Sequence, residues 1–144
     1  MNSLHASEVA ARIAFAAVFA LNVMCALQFA LDPTAFVGAY QLSGVAGEAA
    51  VRGIGIAFLM WNATYPLFIW KPAKHRSLGI IILAQQLIGC IGETCILMTL
   101  PAEGFELLAS SIMRFIAFDV GGLVVMLATY VAMVKSTRES IRSR

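Results

Sequence analysis

Four apolar stretches, each about as long as a bilayer is thick, constrain this chain more than anything else in it. A helix rises 1.5 Å per residue, so roughly 20 apolar residues cross the hydrocarbon core of a membrane. The stretches predict spanning helices over about 9–31, 48–70, 77–100 and 108–134. In lipid each backbone donor and acceptor must be satisfied internally, and a helix does this within its own segment. Composition agrees. Of 144 residues, 60% are hydrophobic and 12% charged, against about 25% charged in an ordinary soluble domain. Mean hydropathy is +0.85. The expected fold is all-α: an integral membrane, up-down four-helix bundle forming one domain over 1–144. A net charge of +2 gives no reason to expect nucleic acid as a partner. The polar start runs into an apolar stretch longer than a signal core, so no cleavable signal is expected.

The breaks between the runs have simple causes. Asp32-Pro33 ends the first, because proline lacks the N–H that a helix interior needs. The segment from Thr34 to Gly47 is rich in small residues, and Phe36 and Tyr40 suit a membrane interface. It exceeds a tight helical-hairpin connection and can fold back as a short interfacial helix. Pro66 predicts a kink late in the second helix. Lys71 to Arg76 form a basic turn, and Pro101 stops the third helix. Lysine and arginine cluster in that turn and in the tail after Val134 (Lys135, Arg138, Arg142, Arg144). The positive-inside rule then puts both termini and the basic turn in the cytoplasm.

Charges at membrane depth are costly unless paired or hydrated, so their positions carry information. On the second helix Glu48, Arg52, Gly55, Leu59, Asn62 and Pro66 share a stripe at steps of three and four. On the third, Gln86, Gly89, Cys90 and Glu93 share another, with Gln85 beside it. On the fourth, Ser110, Ser111, Arg114, Phe118, Gly121 and Gly122 form an arc with Asp119 near its edge. Asn22 lies with Phe15, Phe19, Ala26 and Phe29 on the first. Lipid satisfies none of these faces, so all four turn inward. Counting depth puts Arg52 roughly 6 Å, and Arg114 and Glu93 each roughly 10 Å, below the outer end of the bundle. Three charges from three helices are thus expected at similar level, above an amide-lined region.

The plainer alternative is a clasp. Membrane helices lack a hydrophobic force between them, so polar pairs and small residues supply adhesion. Glu48, Arg52, Glu93, Arg114 and Asp119 sum to −1 and are expected to pair among themselves on that reading. The functional alternative is an outward-facing polar pocket. Arg52 and Arg114 would hold oxygen atoms of a small amphipathic ligand, since guanidinium offers a fork of donors. Glu93 and Asp119 would balance charge, and Asn62 and Gln86 would line the lower cavity. A quinone, a fatty acid or a lipid fits such a site.

Other side chains weigh less. Cys25, Cys90 and Cys95 read as small apolar fillers. Five residues separate Cys90 from Cys95, which points them about 140° apart on a helix and disfavours a disulfide. His5 and His75 are distant from each other and from the cysteines, so no metal-ligand spacing exists. Trp70 and Tyr65 read as interface anchors, while Trp61 and Asn62 lie deeper.

Chain length, helix count, the Asp32-Pro33 loop and the Arg52-Gly53-x-Gly55 opening of the second helix together resemble the small four-helix DoxX-like membrane proteins. The resemblance implies a bacterial inner membrane and a quinone link, because the wider group includes a membrane subunit associated with quinone-linked thiosulfate oxidation. It transfers no catalytic residue. The leading expectation is a non-enzymatic ligand-binding membrane protein with membrane lipid around it. A subunit of a quinone-linked oxidoreductase with Glu93 handling protons, an ion or solute pathway, and a structural assembly partner stand as alternatives. The small faces at Gly89/Gly92 and Gly121/Gly122 leave a homo-oligomer open.

Overall fold

The computed structural model describes residues 2–142. It contains α1 (Asn2–Leu31), α2 (Thr34–Val37), a 3₁₀ turn (Gly38–Tyr40), α3 (Gly44–Asn62), α4 (Tyr65–Trp70), α5 (Arg76–Thr99) and α6 (Glu106–Arg142). Four stretches are long and apolar enough to cross a membrane: Leu4–Leu31, Gly44–Trp70, Arg76–Thr99 and Glu106–Arg142. Large apolar side chains such as Ile13, Met60, Ile88 and Val124 stand exposed along them, the surface that a lipid-embedded helical protein presents.

The helix limits differ from expectation for local reasons. The first helix reaches back to Asn2, since nothing between Ser3 and Glu8 breaks it. The second begins at Gly44, which adopts φ +65 after Ser43. It is broken at Ala63-Thr64, three and two residues before Pro66. Proline leaves the carbonyl four residues back without a donor and crowds it, so helix α3 ends at Asn62 and α4 restarts with Pro66 in its first turn. The last helix continues through the basic tail to Arg142. Its 37 residues span about 55 Å, longer than a hydrocarbon core of ~30 Å.

Tertiary hydrogen bonds show which ends lie together. Arg12 Nη2 donates to the Trp70 carbonyl at 3.3 Å and Tyr130 Oη to the Arg76 carbonyl at 3.1 Å. The start of α1, the α4–α5 turn and the end of α6 therefore share one end, the terminal end. At the other, Gln41 Nε2 donates to the Gly104 carbonyl at 2.7 Å, and Leu108 N donates to Gln41 Oε1 at 3.1 Å.

Packing is uneven between these ends. Helix α1 lies against α3, α4 and α6, and α6 lies also against α5. Helices α3 and α5 pack against each other far less than their neighbours do; α5 meets the second span mainly through α4, with Trp61 of α3 reaching toward Gly89. The break before Pro66 redirects the chain toward α5, where Phe68 closes onto Gly79. A Cβ at Gly79 would come within 2.7 Å of the Phe68 ring and 2.6 Å of Tyr130, so only glycine lets these elements approach. The main core, including Phe15, Phe68, Ile82, Met126 and Met133, fills this terminal half. The other half is an arc of helices in the order α3, α1, α6, α5, with its concave side unfilled by core.

Candidate functional site

The concave side encloses a cavity of about 510 Å³, the size that drug-sized ligands occupy. Aromatic rings form much of its wall. Phe29 comes from α1, Phe58 and Trp61 from α3, Phe115 and Phe118 from α6, and Tyr65 forms part of the floor. The segment after Pro33 supplies the roof: Phe36, Ala39 and Tyr40 line the cavity. Phe29 organises this contact, with its centroid 4.8 Å from Phe36, 5.8 Å from Tyr40 and 6.1 Å from Phe115. Such tilted and edge-on pairs are favoured by the ring quadrupoles.

The roof folds back for reasons visible in its backbone. Thr34 Oγ1 donates to Asp32 Oδ1 at 2.7 Å, and the Phe36 and Val37 amides donate to the Pro33 carbonyl. Gln41 then takes φ 52, a left-handed turn that reverses the chain. The Gln41 side chain pins this lid to Gly104 and Leu108 across the bundle end. Burial pushes the Tyr40 phenol well above its ordinary range, so Tyr40 stays neutral beneath the lid.

A few polar groups interrupt the aromatic lining. Gln86 Nε2 donates to Asp119 Oδ1 at 2.8 Å and to the Asp119 carbonyl at 3.3 Å. The other Asp119 oxygen lies over Gly89, 3.1 Å from where a Cβ would stand. Asn62 Nδ2 donates to the Phe58 carbonyl at 2.8 Å, and Asn22 Nδ2 to Asn62 Oδ1 at 3.5 Å. Gln85 also lines the cavity, and its buried Oε1 has no partner. Toward the lid, Arg114 Nη2 donates to Ser111 Oγ at 3.2 Å. Arg114 lines the cavity, is exposed, and has no acidic side chain within 4.0 Å among the described residues.

The structure thus gathers four of the six expected site residues, Arg114, Asp119, Asn62 and Gln86, around one cavity. Arg52 is elsewhere. It is exposed and lies with Glu48, Val45 and Ile56 in a shallow groove formed by α3 alone. Nine residues separate it from Trp61, which turns it roughly 180° away from that cavity-lining ring. Depth was comparable, but direction was not. Glu93 is not among the residues that line the cavity. Its Oε2 is buried without a hydrogen-bond partner, within electrostatic reach of Asp119. The expected mutual pairing of these charges is also absent: among the described residues the ion pair is Glu8–Arg12, at 3.5 Å on the exposed face of α1.

Three contributions were under-read in the sequence. Tyr40 and Phe36 roof the cavity rather than sit only at an interface, and Ser111 orients the arginine. Gln85 holds the unpartnered acceptor. The cysteines are free and not bridged, and the described residues contain no group of three metal-ligating side chains. Comparison with protein-family models, with curated proteins and with solved structures gives no match. The cavity must therefore be read from its own chemistry.

Proposed function

We propose that this protein is an integral membrane, up-down four-helix bundle that holds a small amphipathic ligand in the cavity beneath its lid. Arg114, steadied by Ser111, receives a carboxylate or carbonyl oxygen, and the aromatic rings enclose an apolar body. Gln85 Oε1 accepts from a ligand hydroxyl or amide if one is present. One observation carries this reading: a guanidinium without an acidic partner lines an aromatic cavity of about 510 Å³. Arg114 is itself exposed, and a cation at membrane depth is costly unless it is paired or hydrated. The packed terminal half, with Phe15, Phe68, Ile82, Met126 and Met133 buried, speaks against a continuous ion or solute pathway. Among the described residues the one ion pair, Glu8–Arg12, lies within α1 and joins no two helices, which speaks against a charge clasp.

In this reading both termini face the cytoplasm of a bacterial inner membrane, as the basic turn and tail suggest, and the lid faces outward. A quinone or a fatty acid satisfies the same head-group chemistry. Protein purified in mild detergent should release one such species on solvent extraction, identified by mass spectrometry. Arg114→Gln should empty the site, whereas Arg52→Gln should leave occupancy unchanged. Equal occupancy in wild type and Arg114→Gln would overturn the assignment.

A second reading has its own observation. Glu93 carries a buried unpartnered oxygen near Asp119, an arrangement suited to moving a proton beside a bound quinone. It predicts co-purified quinone and quinone reduction or oxidation that depends on Glu93. A Glu93→Gln variant supporting undiminished quinone-linked respiration would remove it.

A further inference from the structure

We propose that the cavity is loaded sideways from the membrane, through a slot between α3 and α5 on the lid side of the bilayer. Its ligand is accordingly one that dissolves in lipid, an apolar body with a carboxylate or carbonyl head. This rests on the cavity being a binding site, and it adds the route and the ligand's source.

Contacts cover the other directions. Gln41 bridges to Gly104 and Leu108, and Phe36 and Tyr40 rest on Phe29. The terminal end is filled by the main core. Helix α1 packs against α3 and α6, and α6 against α5. What remains is the side between α3 and α5, which pack against each other far less than their neighbours do.

The walls of that side explain why it stays open. Trp61 reaches across to α5, 3.6 Å from where a Gly89 Cβ would lie, and marks the inner end of the slot. The same face of α5 continues toward the lid through Gly92 and Ile96, three and seven residues further on. A Cβ at Gly92 would meet nothing within 4 Å, and Ile96 is 54% exposed. Opposite, the Trp61 face of α3 continues through Ala57, which is exposed. Gly92 and Ala57 thus leave room on both rims where larger side chains would seal the gap. An aliphatic chain in such a slot remains solvated by lipid tails while its head passes to Arg114.

The test uses the full chain in phosphatidylcholine vesicles with Trp70→Phe, leaving Trp61 as the one indole. Two probes that quench indole are added separately by mixing with loaded vesicles: dibrominated stearate and a decyl-substituted benzoquinone. The expected result is time-dependent quenching of Trp61 by at least one probe. It should be at least tenfold slower in Ala57→Phe/Gly92→Phe, with thermal stability retained because Ala57 is exposed and a Cβ at Gly92 meets nothing within 4 Å. Gln41→Ala should leave the rate unchanged. A wild-type rate in the double variant, or faster loading after Gln41→Ala, overturns lateral entry in favour of entry past the lid. Quenching by neither probe, or quenching indifferent to Arg114→Gln, overturns the binding reading itself and the route with it.

Discussion

Gln86 Nε2 donates to Asp119 Oδ1 at 2.8 Å and so ties α5 to α6 at the floor of the cavity. A carboxylate at this depth is satisfied on one side by an amide and faces Gly89 on the other. Replacing Gln86 by Leu should leave Asp119 without its donor and lower stability by about 1–3 kcal/mol. Asp119→Asn keeps an acceptor for the same amide and should cost much less. Thermal unfolding in detergent distinguishes them, and equal losses in both variants would contradict a hydrogen bond of this kind.

Helices α1 and α3 approach closely at Gly55. A Cβ there would lie 2.7 Å from the Ala26 carbonyl oxygen and 2.8 Å from the Ala30 amide. Backbone cannot move aside as a side-chain tip can, so Gly55→Ala should destabilise by about 1–3 kcal/mol. At Gly53 a Cβ would meet nothing within 4 Å. Gly53→Ala should be neutral or stabilise by up to about 1 kcal/mol, the helix-propensity gain. The pair checks the azimuth of α3, and a reversed order in melting temperature would refute it.

Gln41 holds the lid by two hydrogen bonds to a distant part of the chain. Gln41→Ala removes both and leaves an alanine at φ 52, a conformation unfavourable for it. Amide exchange over 34–42 should accelerate by at least tenfold, with that in α5 unchanged. Equal protection of 34–42 in wild type and Gln41→Ala would mean that the ring contacts of Phe29 hold the lid alone.

Glu93 gives a sign that separates a site from a clasp. Its Oε2 is buried and unpartnered, so removing the charge relieves a desolvation cost. Glu93→Leu should raise stability by about 1 kcal/mol or more. A clasp requires the opposite, since breaking an ion pair in the membrane loosens the helices.

Much of this was legible in the sequence. Apolar run length set the four spans, and Pro66 set the break between α3 and α4, because one missing N–H acts locally. The inward faces of Gly55, Asn62, Gln86 and Asp119 followed from helical spacing. What spacing could not supply was direction within a broad stripe. Arg52 shares steps of three and four with Asn62, yet it lies on the far shoulder of α3, beyond the flank that Gly55 presents to α1. Depth alone made it look like a neighbour of Arg114. The lid was hidden for another reason. Its position depends on contacts between Gln41 and residues 63 and 67 positions away, and no local rule reports those. The gap between α3 and α5 is likewise a property of which helices pair, not of either helix.

The central claim is that Arg114 holds an amphipathic ligand inside the aromatic cavity. The most direct test is photolabelling of the vesicle-embedded protein with a diazirine-bearing fatty acid and a diazirine-bearing quinone, followed by peptide mapping. The account predicts label on the Phe58–Trp61 and Phe115–Phe118 segments, lost in Arg114→Gln and retained in Arg52→Gln. Label confined to outward positions such as Ile80, Ile88 and Val124, at equal yield in both variants, would contradict it.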